Sequence, residues 1–387
     1  GLKISIKHKN RLYKKSILKP SVHLTARYIK YKYSVQKCVQ RAEISYFKQL
    51  FEEYKNNARQ TWKCLSQILN SKYIKSLAIN KLFYKGQTIV DHQAITEAFN
   101  DHFCSIGEEL SSKLPDCGSQ YKTYLHNKVQ DTFFLRPVNE QDILSEIKRL
   151  DHKKAAGADG IGAKLIKLSP HSFSYALVKI FNRAIEKAEY PDLMKIAKVI
   201  ALFKKGDTSL PDNYRPISLL SCFNKIFEKI LHRSMIQFLE HRNALFIYQF
   251  GFRYLHSTGF ALIETIATIK QKLDEGNYVL GLYLDLTKAF DTVDHEILLF
   301  KLSHYGIRGH ANDFFRSYLN NRRQYTSING KESQLKQQRC GVPQGFVLGP
   351  LFFLIYINDI QYVNDPDSVV LVLLFKNGNL KYFVRLP

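Results

Sequence analysis

One carboxylate in this sequence stands where a metal ion can be held, at the end of a predicted strand. Residues 278–284 are a largely apolar run that predicts a buried strand, and Asp285 follows it directly. Asp294 is then placed to cap a helix that begins near His295. Carboxylate oxygens on rigid elements are the hard ligands that Mg²⁺ requires. The spacing therefore predicts a metal-binding acid at Asp285, although an aspartate at the end of a strand is more often a turn or capping residue.

A glycine-rich loop followed by an apolar helix is the second candidate. Residues 341–350 are Gly-Val-Pro-Gln-Gly-Phe-Val-Leu-Gly-Pro, and an apolar run to Ile357 follows. The glycines permit a close approach of the backbone to a neighbouring group, and Gln344 carries an amide that can donate and accept hydrogen bonds. By itself the pattern also fits a turn that leads into a buried helix.

Three basic residues lie beside two apolar runs. Lys204 and Lys205 follow the apolar run that ends at Phe203, and Arg215 begins the next run. Ammonium groups and the guanidinium fork neutralise negative charge, so these residues are candidates for binding an anion. Basic residues in a loop are more often simply solvated, and that alternative stays open.

Five segments in order resemble the reverse transcriptases of non-LTR retrotransposons of the jockey and LINE type. The most specific are residues 284–295, Leu-Asp-Leu-Thr-Lys-Ala-Phe-Asp-Thr-Val-Asp-His, which resemble motif A, and residues 341–360, which resemble motif B. The other three are residues 153–161, residues 198–220 and residues 249–258. The resemblance implies an α+β right-hand polymerase fold, with fingers and a partial palm, and RNA-directed DNA polymerase activity.

The resemblance also assigns roles to residues and partners to the chain. It implies that Asp285 is the catalytic ligand of a two-Mg²⁺ site, and that Phe290 crowds the sugar 2′ position and so favours deoxynucleotides. Phe346 departs from the usual Ser, and its ring is expected beside the template strand. The implied partners are an RNA template, a DNA primer and deoxynucleoside triphosphates. Residues 198–220 are implied to form a strand hairpin on which Arg215 and one of Lys204 or Lys205 hold the triphosphate. The implied nucleotide-binding residues are Lys204, Lys205, Arg215, Ala289, Phe290 and Gln344, and the implied template and primer residues are Gly341, Pro343 and Gly345.

The acids that complete the family's metal site are missing from the expected place. Residues 368–375 supply the expected apolar strand, but Lys-Asn-Gly-Asn follows at 376–379 where the family has Ala-Asp-Asp. A single aspartate cannot hold two Mg²⁺ ions, and a nearby lysine repels them. Only 12 residues follow Phe375, so the thumb is expected to be absent as well. We therefore expect a truncated and inactive member of the family, with a two-metal site that is incomplete.

The basic charge is concentrated near the start of the chain. The 387 residues carry 57 Lys and Arg against 34 Asp and Glu, and residues 1–75 hold 18 basic residues and 3 Glu, a net charge of +15. We expect a basic helical arm within an N-terminal extension and linker, 1–137, and the polymerase-like domain over 138–387. The alternative function is a catalytically dead remnant that binds nucleic acid, partly by stacking of tyrosines such as Tyr28, Tyr31 and Tyr33.

Composition excludes several other classes of protein. Apolar residues make up 45% of the chain, so it is not a disordered polypeptide. The six cysteines include no C-x-x-C pair and predict a reducing compartment rather than a disulfide scaffold or a zinc site. No apolar run approaches the roughly 20 residues of a membrane span. No secretory segment is evident, and the family places the chain in the nucleus or the cytoplasm.

Overall fold

The computed structural model of the chain describes residues 2–18, 21–55, 57, 60–61, 65, 79–113, 118–279, 286, 288–362, 374–376 and 379–381. The chain divides into two compact units, residues 1–78 and residues 79–387, which are described separately. None of the described helices is both long enough and apolar enough to cross a membrane.

The first unit contains a pair of helices. Helix α1 covers Leu2–Leu18 and α2 covers Val22–Tyr54, and the Ser21 side chain caps α2 by accepting the Leu24 N–H. The predicted basic helices are confirmed for these residues. The rings of Tyr28 and Tyr31 contact those of Tyr13 and His8, with centroids 5.2 and 5.0 Å apart. Of the three tyrosines predicted to stack on bases, these two make ring contacts within the helix pair.

The second unit mixes helices with a central sheet, which confirms the mixed α and β class. It begins with β1 (Leu82–Tyr84), β2 (Gln87–Ile89) and α3 (His92–Ser111). The next helices are α4 (Glu140–Arg149), α5 (Ala163–Leu168) and α6 (Pro170–Lys187). Then follow β3 (Ile196–Phe203), β4 (Tyr214–Leu219), α7 (Cys222–His241), α8 (Thr258–Asp274), α9 (His295–His304) and α10 (His310–Leu319). The remaining elements are β5 (Arg322–Ile328), β6 (Lys331–Glu332), β7 (Lys336–Gln338), α11 (Leu348–Ile357), β8 (Leu374–Lys376) and β9 (Asn379–Lys381).

The predicted strand hairpin forms one side of the central sheet. Strands β3 and β4 pair antiparallel, with Leu202 opposite Arg215, and the Lys204 N–H donates to the Asn213 carbonyl at 2.8 Å. Strand β5 lies parallel to β3 on its other side, with Ile196 opposite Arg323. The described sheet has the order β4-β3-β5-β6, and β7 also pairs with β5.

Two hydrophobic cores hold these elements. The larger core includes buried residues of α4, α6, α7, α9, α10 and α11, and the rings of Phe181 and Phe227 stack there with centroids 4.1 Å apart. The smaller core joins α3 to the sheet, where the Phe99 and Tyr214 rings meet edge to face at 4.9 Å. Residues 79–113 thus belong to the same compact unit as the hairpin. The domain boundary predicted at 137/138 stays a prediction.

Two predicted elements lie partly outside the described residues. Helix α8 forms as predicted and is followed by Gly276, whose φ of +79° is a left-handed conformation that favours glycine. The strand predicted over 278–284 falls largely outside the described part of the chain. Where the family's motif C hairpin is expected, β8 and β9 pair antiparallel, with Lys376 opposite Asn379.

Candidate polymerase site

The three predicted triphosphate-binding cations lie on the β3–β4 hairpin. Lys204 and Lys205 lie at its turn and are exposed, and Arg215 lies at the start of β4 and is half-buried. Asp207 fixes the turn by accepting hydrogen bonds from the N–H and the hydroxyl of Ser209, which lower the pKa of its carboxyl. None of the three cations forms an ion pair within the described residues, so their charge is available to an anion.

Backbone hydrogen bonds join the motif A turn, residues 288–293, to the motif B loop, residues 340–346. The Val342 N–H donates to the Phe290 carbonyl and the Gly341 N–H donates to the Val293 carbonyl, each at 2.8 Å. His295 Nε2 donates to the Gly341 carbonyl at 2.8 Å, and burial lowers the pKa of this imidazole. Backbone hydrogen bonds therefore join two segments that lie about 50 residues apart in sequence.

Two glycines of the motif B loop stand where a side chain has no room. Gly341 has a φ of +81°, and a Cβ there would lie 2.7 Å from the Asp291 carbonyl oxygen. Gly345 has a φ of +115°, and a Cβ there would lie 2.5 Å from the carbonyl oxygen of Ser218 on β4. Both glycines therefore allow close approach to the protein's own backbone. Their predicted contact with template and primer stays a prediction, as does that of the buried Pro343.

The motif B loop also contacts the β3–β4 hairpin. The Ser218 N–H donates to the Gln344 carbonyl at 2.9 Å, three residues along β4 from Arg215. The Gln344 side chain is half-buried. The loop thus brings Gln344 to the strand that carries one of the predicted triphosphate ligands.

The two phenylalanines of the site are both buried. Phe290 is 7% exposed beside the buried Ala289, and its ring lies 4.7 Å from the Phe353 ring. Phe346 is 4% exposed and packs against the guanidinium of Arg322, 4.3 Å from its ring centroid. Both rings therefore pack into the core, and the predicted contacts of Phe290 with the nucleotide sugar and of Phe346 with the template stay predictions. The left-handed turn at Gly345 precedes a ring that packs into the protein core.

A buried glutamate that the sequence analysis missed holds the start of α11. Glu228 of α7 is fully buried and accepts the Val347 N–H at 2.6 Å and the Leu348 N–H at 3.4 Å. It also accepts the Tyr318 hydroxyl at 2.8 Å and the Asn224 amide at 3.0 Å. Burial raises the pKa of Glu228, while the Arg322 charge and these hydrogen bonds oppose the rise. A glutamate between Phe227 and Ile230 in an apolar helix is the signal that could have identified it.

The last residue of the motif A Ala-Phe-Asp triplet is a buried carboxylate. Asp291 is 9% exposed, and its Oδ2 has no hydrogen-bond partner among the described residues. Burial raises the pKa of Asp291 to about 6, and the nearby Lys288 charge partly opposes this rise. The sequence analysis assigned this residue no role.

The described acids do not assemble a metal centre. Asp285 lies outside the described residues, and the described part of the chain contains no cluster of three His, Cys, Asp or Glu side chains that could hold a metal ion. Asp359, at the end of motif B, forms a buried ion pair with Lys301 at 2.6 Å. Its neighbour Asn358 donates to the Ala244 carbonyl and accepts the Phe246 N–H. The Asn-Asp pair at 358–359 therefore fastens α11 to its neighbours.

Comparison with known proteins places the site residues in one matched segment. Residues 203–368 match the family described as "Reverse transcriptase (RNA-dependent DNA polymerase)". All ten predicted site residues lie within this segment.

Curated relatives from transposable elements match a larger part of the chain. It is 31% identical over 259 residues to the probable RNA-directed DNA polymerase from transposon BS of Drosophila melanogaster, covering 64% of this chain and 28% of the relative. The RNA-directed DNA polymerase from the mobile element jockey of Drosophila funebris is 31% identical over 274 residues, covering 70% of this chain and 29% of the relative. The same protein of Drosophila melanogaster is 31% identical over 258 residues, covering 65% of this chain and 28% of the relative. The matched region thus spans less than a third of each relative.

Proposed function

We propose that this chain, whose residues 203–368 are a reverse transcriptase domain of the non-LTR retrotransposon kind, forms the fingers and partial palm of an RNA-directed DNA polymerase. Its partners in this proposal are an RNA template, a DNA primer and deoxynucleoside triphosphates. The observation that carries the proposal is the junction of the β3–β4 hairpin, the motif A turn and the motif B loop through backbone hydrogen bonds at Ser218, Phe290 and Val293.

The cations of the hairpin give this junction its affinity for a nucleotide. Lys204, Lys205 and Arg215 have no carboxylate partner among the described residues, and Arg215 lies on the strand that the Gln344 backbone contacts. A guanidinium that bonds to a phosphate contributes about 1.5–3 kcal/mol. We assign the triphosphate to these three residues, the nucleotide sugar and base to Ala289, Phe290 and Gln344, and the primed template to Gly341, Pro343 and Gly345.

The residues present do not fit the two-Mg²⁺ site of the family. Lys-Asn-Gly-Asn occupies 376–379, at and around the β8–β9 hairpin, and Asp359 already pairs with Lys301. Asp285 is thus left without the two acids that the family places beside it. We therefore propose that the chain binds nucleotide and primed template but does not carry out synthesis.

A second candidate function, nucleic-acid binding without catalysis, is favoured by the helix pair of the first unit. Helices α1 and α2 contain 12 Lys and Arg against 3 Glu, and Lys55–Glu52 is the one ion pair among the described residues of this unit. Cations without carboxylate partners bind phosphates by releasing counterions. Replacing the six basic residues of α1 by Gln should make the salt dependence of RNA binding shallower, by about 4 to 5 in the slope of log K against log salt.

Nucleotide retention on a primed template tests the proposed function. A photoreactive deoxynucleoside triphosphate complementary to the next template base should crosslink to the wild-type chain, and Arg215→Gln should weaken its binding about tenfold. Arg323→Gln, which removes an exposed arginine from strand β5 on the far side of β3, is the matched control and should have no effect. Crosslinking that ignores template complementarity, or that is equal in both variants, would favour the second candidate function.

A further inference from the structure

Three basic side chains of the second unit converge on one buried carboxylate outside the polymerase site. Glu146 of α4 is 1% exposed, and it pairs with Arg149 at 2.9 Å and with Lys229 of α7 at 3.5 Å. Arg233 of α7 also contacts this carboxylate. All three basic side chains retain exposed surface, between 33% and 62%. One buried carboxylate therefore holds three partly exposed cations close together.

Two further lysines add to this charge. The loop that carries Lys154 is held against the start of α7, because a Cβ on Gly157 would lie 2.4 Å from the Ser221 N. Burial lowers the pKa of Lys225 and of Lys229, and the positive charge of Lys154 lowers both further. The nearby Asp159 and Glu228 partly oppose this effect at Lys225.

Like-charged groups held this close repel one another in the free protein. We define Arg149, Lys154, Lys225, Lys229 and Arg233 as the α7 basic cluster. Its five cations are faced by the buried Glu146 and by Asp159 of the adjoining loop. An anion that binds among them relieves the repulsion, so the cluster favours an anionic ligand.

The spacing of the cluster fits a repeating anion rather than a single one. Lys225, Lys229 and Arg233 follow one another at four-residue intervals along one side of α7, a distance of about 12 Å from first to last. Backbone phosphates recur along a nucleic-acid strand, so a row of this length can contact more than one of them. The row starts one turn after Ser221, just beyond the strand that contacts the motif B loop at Ser218.

We propose that the α7 basic cluster binds successive backbone phosphates of a nucleic-acid strand that extends from the fingers hairpin. This inference rests on the proposed function, since it extends the template surface beyond the motif B junction. Its contacts are with phosphates alone, so the cluster contributes affinity and salt dependence without sequence preference.

The salt dependence of RNA binding by the full-length chain tests the proposal. For a mixed-sequence single-stranded RNA, Lys225→Gln/Lys229→Gln should make the slope of log K against log salt shallower by about 1.4, two contacts at about 0.7 each. Between 50 and 200 mM salt the affinity deficit of the variant should therefore shrink about sevenfold. Lys179→Gln/Lys187→Gln, which removes the same charge from α6, is the matched control and should keep the wild-type slope.

The other outcomes distinguish failure of the α7 basic cluster from failure of the proposed function. Equal loss of slope in both double variants means that net charge alone acts, which overturns the cluster. A wild-type slope in Lys225→Gln/Lys229→Gln also overturns the cluster but leaves the proposed function standing. A wild-type chain that binds no RNA overturns both. Should the double variant unfold, Lys225→Arg/Lys229→Arg must keep the wild-type slope, and a loss of slope in that charge-preserving variant also overturns the proposal.

Discussion

The motif B junction and the β8–β9 hairpin differ in what their residue types serve. At the junction, Gly341 and Gly345 leave space for neighbouring backbone, and Glu228 satisfies two N–H groups at the start of α11. At the hairpin, the strands pair as expected, but Lys-Asn-Gly-Asn at 376–379 stands where the family carries its acids. Residues that the packing requires are present at the first region, and the acids that the resemblance leads us to expect are absent from the second.

This difference indicates that the fold and the chemistry of the domain depend on separate residues. Asp359 is a carboxylate at the end of motif B, but its buried pairing with Lys301 commits it to packing. Substitutions at the motif B junction should therefore change the stability of the chain. Substitution of Asp285, whose expected partner acids are absent, should change little.

The largest effect is expected at Glu228. Glu228→Ala removes the acceptor of the Val347 and Leu348 N–H groups and of the Tyr318 hydroxyl. Each buried donor left without a partner costs about 1–3 kcal/mol, so the free energy of unfolding should fall by about 4 kcal/mol. Urea denaturation measures this loss. Glu228→Gln keeps an acceptor and should lose less than half as much, and a smaller loss for Ala than for Gln would contradict the capping role.

Substitution of Asp291 should raise the free energy of unfolding, because burial of its carboxylate destabilises the folded state. Its pKa is about 6 in the folded chain against 3.8 ordinarily, so the folded state binds its proton more tightly. Stability from this group is therefore greatest at low pH and is lost as pH rises through 3.8 to 6. Above that range the ionised carboxylate costs about 3 kcal/mol.

Asp291→Asn should remove this cost. The variant should be more stable than the wild type by about 3 kcal/mol at pH 8, and by about half of that at pH 5. Urea denaturation at the two pH values checks both numbers. Asp313→Asn, at an exposed position in the first turn of α10, is the matched control, because it removes a carboxylate that is not buried. A stability gain that is equal at pH 5 and pH 8 would exclude the ionisation as its cause.

The close approach at Gly345 should have an intermediate effect. Gly345→Ala places a Cβ 2.5 Å from the Ser218 carbonyl oxygen and also imposes a left-handed conformation on alanine. Gly330→Ala imposes the same kind of conformation, at a φ of +78°, with no atom within 4 Å of its Cβ. We expect losses of about 2 kcal/mol at 345 and about 1 kcal/mol at 330. Equal losses in thermal denaturation would show that the contact with β4 adds nothing.

Local sequence patterns predicted the elements of this fold but not the long-range polar pairs. Helix α8 follows from the spacing of its apolar residues, and the β3–β4 hairpin follows from the resemblance of residues 198–220 to the family. Glu146 with Arg233, and Lys301 with Asp359, are separated by 58 residues or more and carry no local pattern. The burial of the Phe346 ring could not be predicted for a related reason, since it depends on packing with Arg322. The motif order located the site, whereas packing determined which of its residues are buried.

The smallest effect is expected at Asp285, the residue that the family would make catalytic. Without acids at 376–379 it cannot hold two Mg²⁺ ions, so Asp285→Ala should leave affinity for primed template within about twofold, or about 0.4 kcal/mol. Incorporation of deoxynucleotides should be at background with or without this substitution. Replacing 376–378 by Ala-Asp-Asp provides the informative background, because any synthesis gained there must be abolished by Asp285→Ala. Synthesis by the unaltered chain above the level of its Asp285→Ala variant would show that catalysis occurs without acids at 376–379. The difference drawn between the β8–β9 hairpin and the motif B junction would then be wrong.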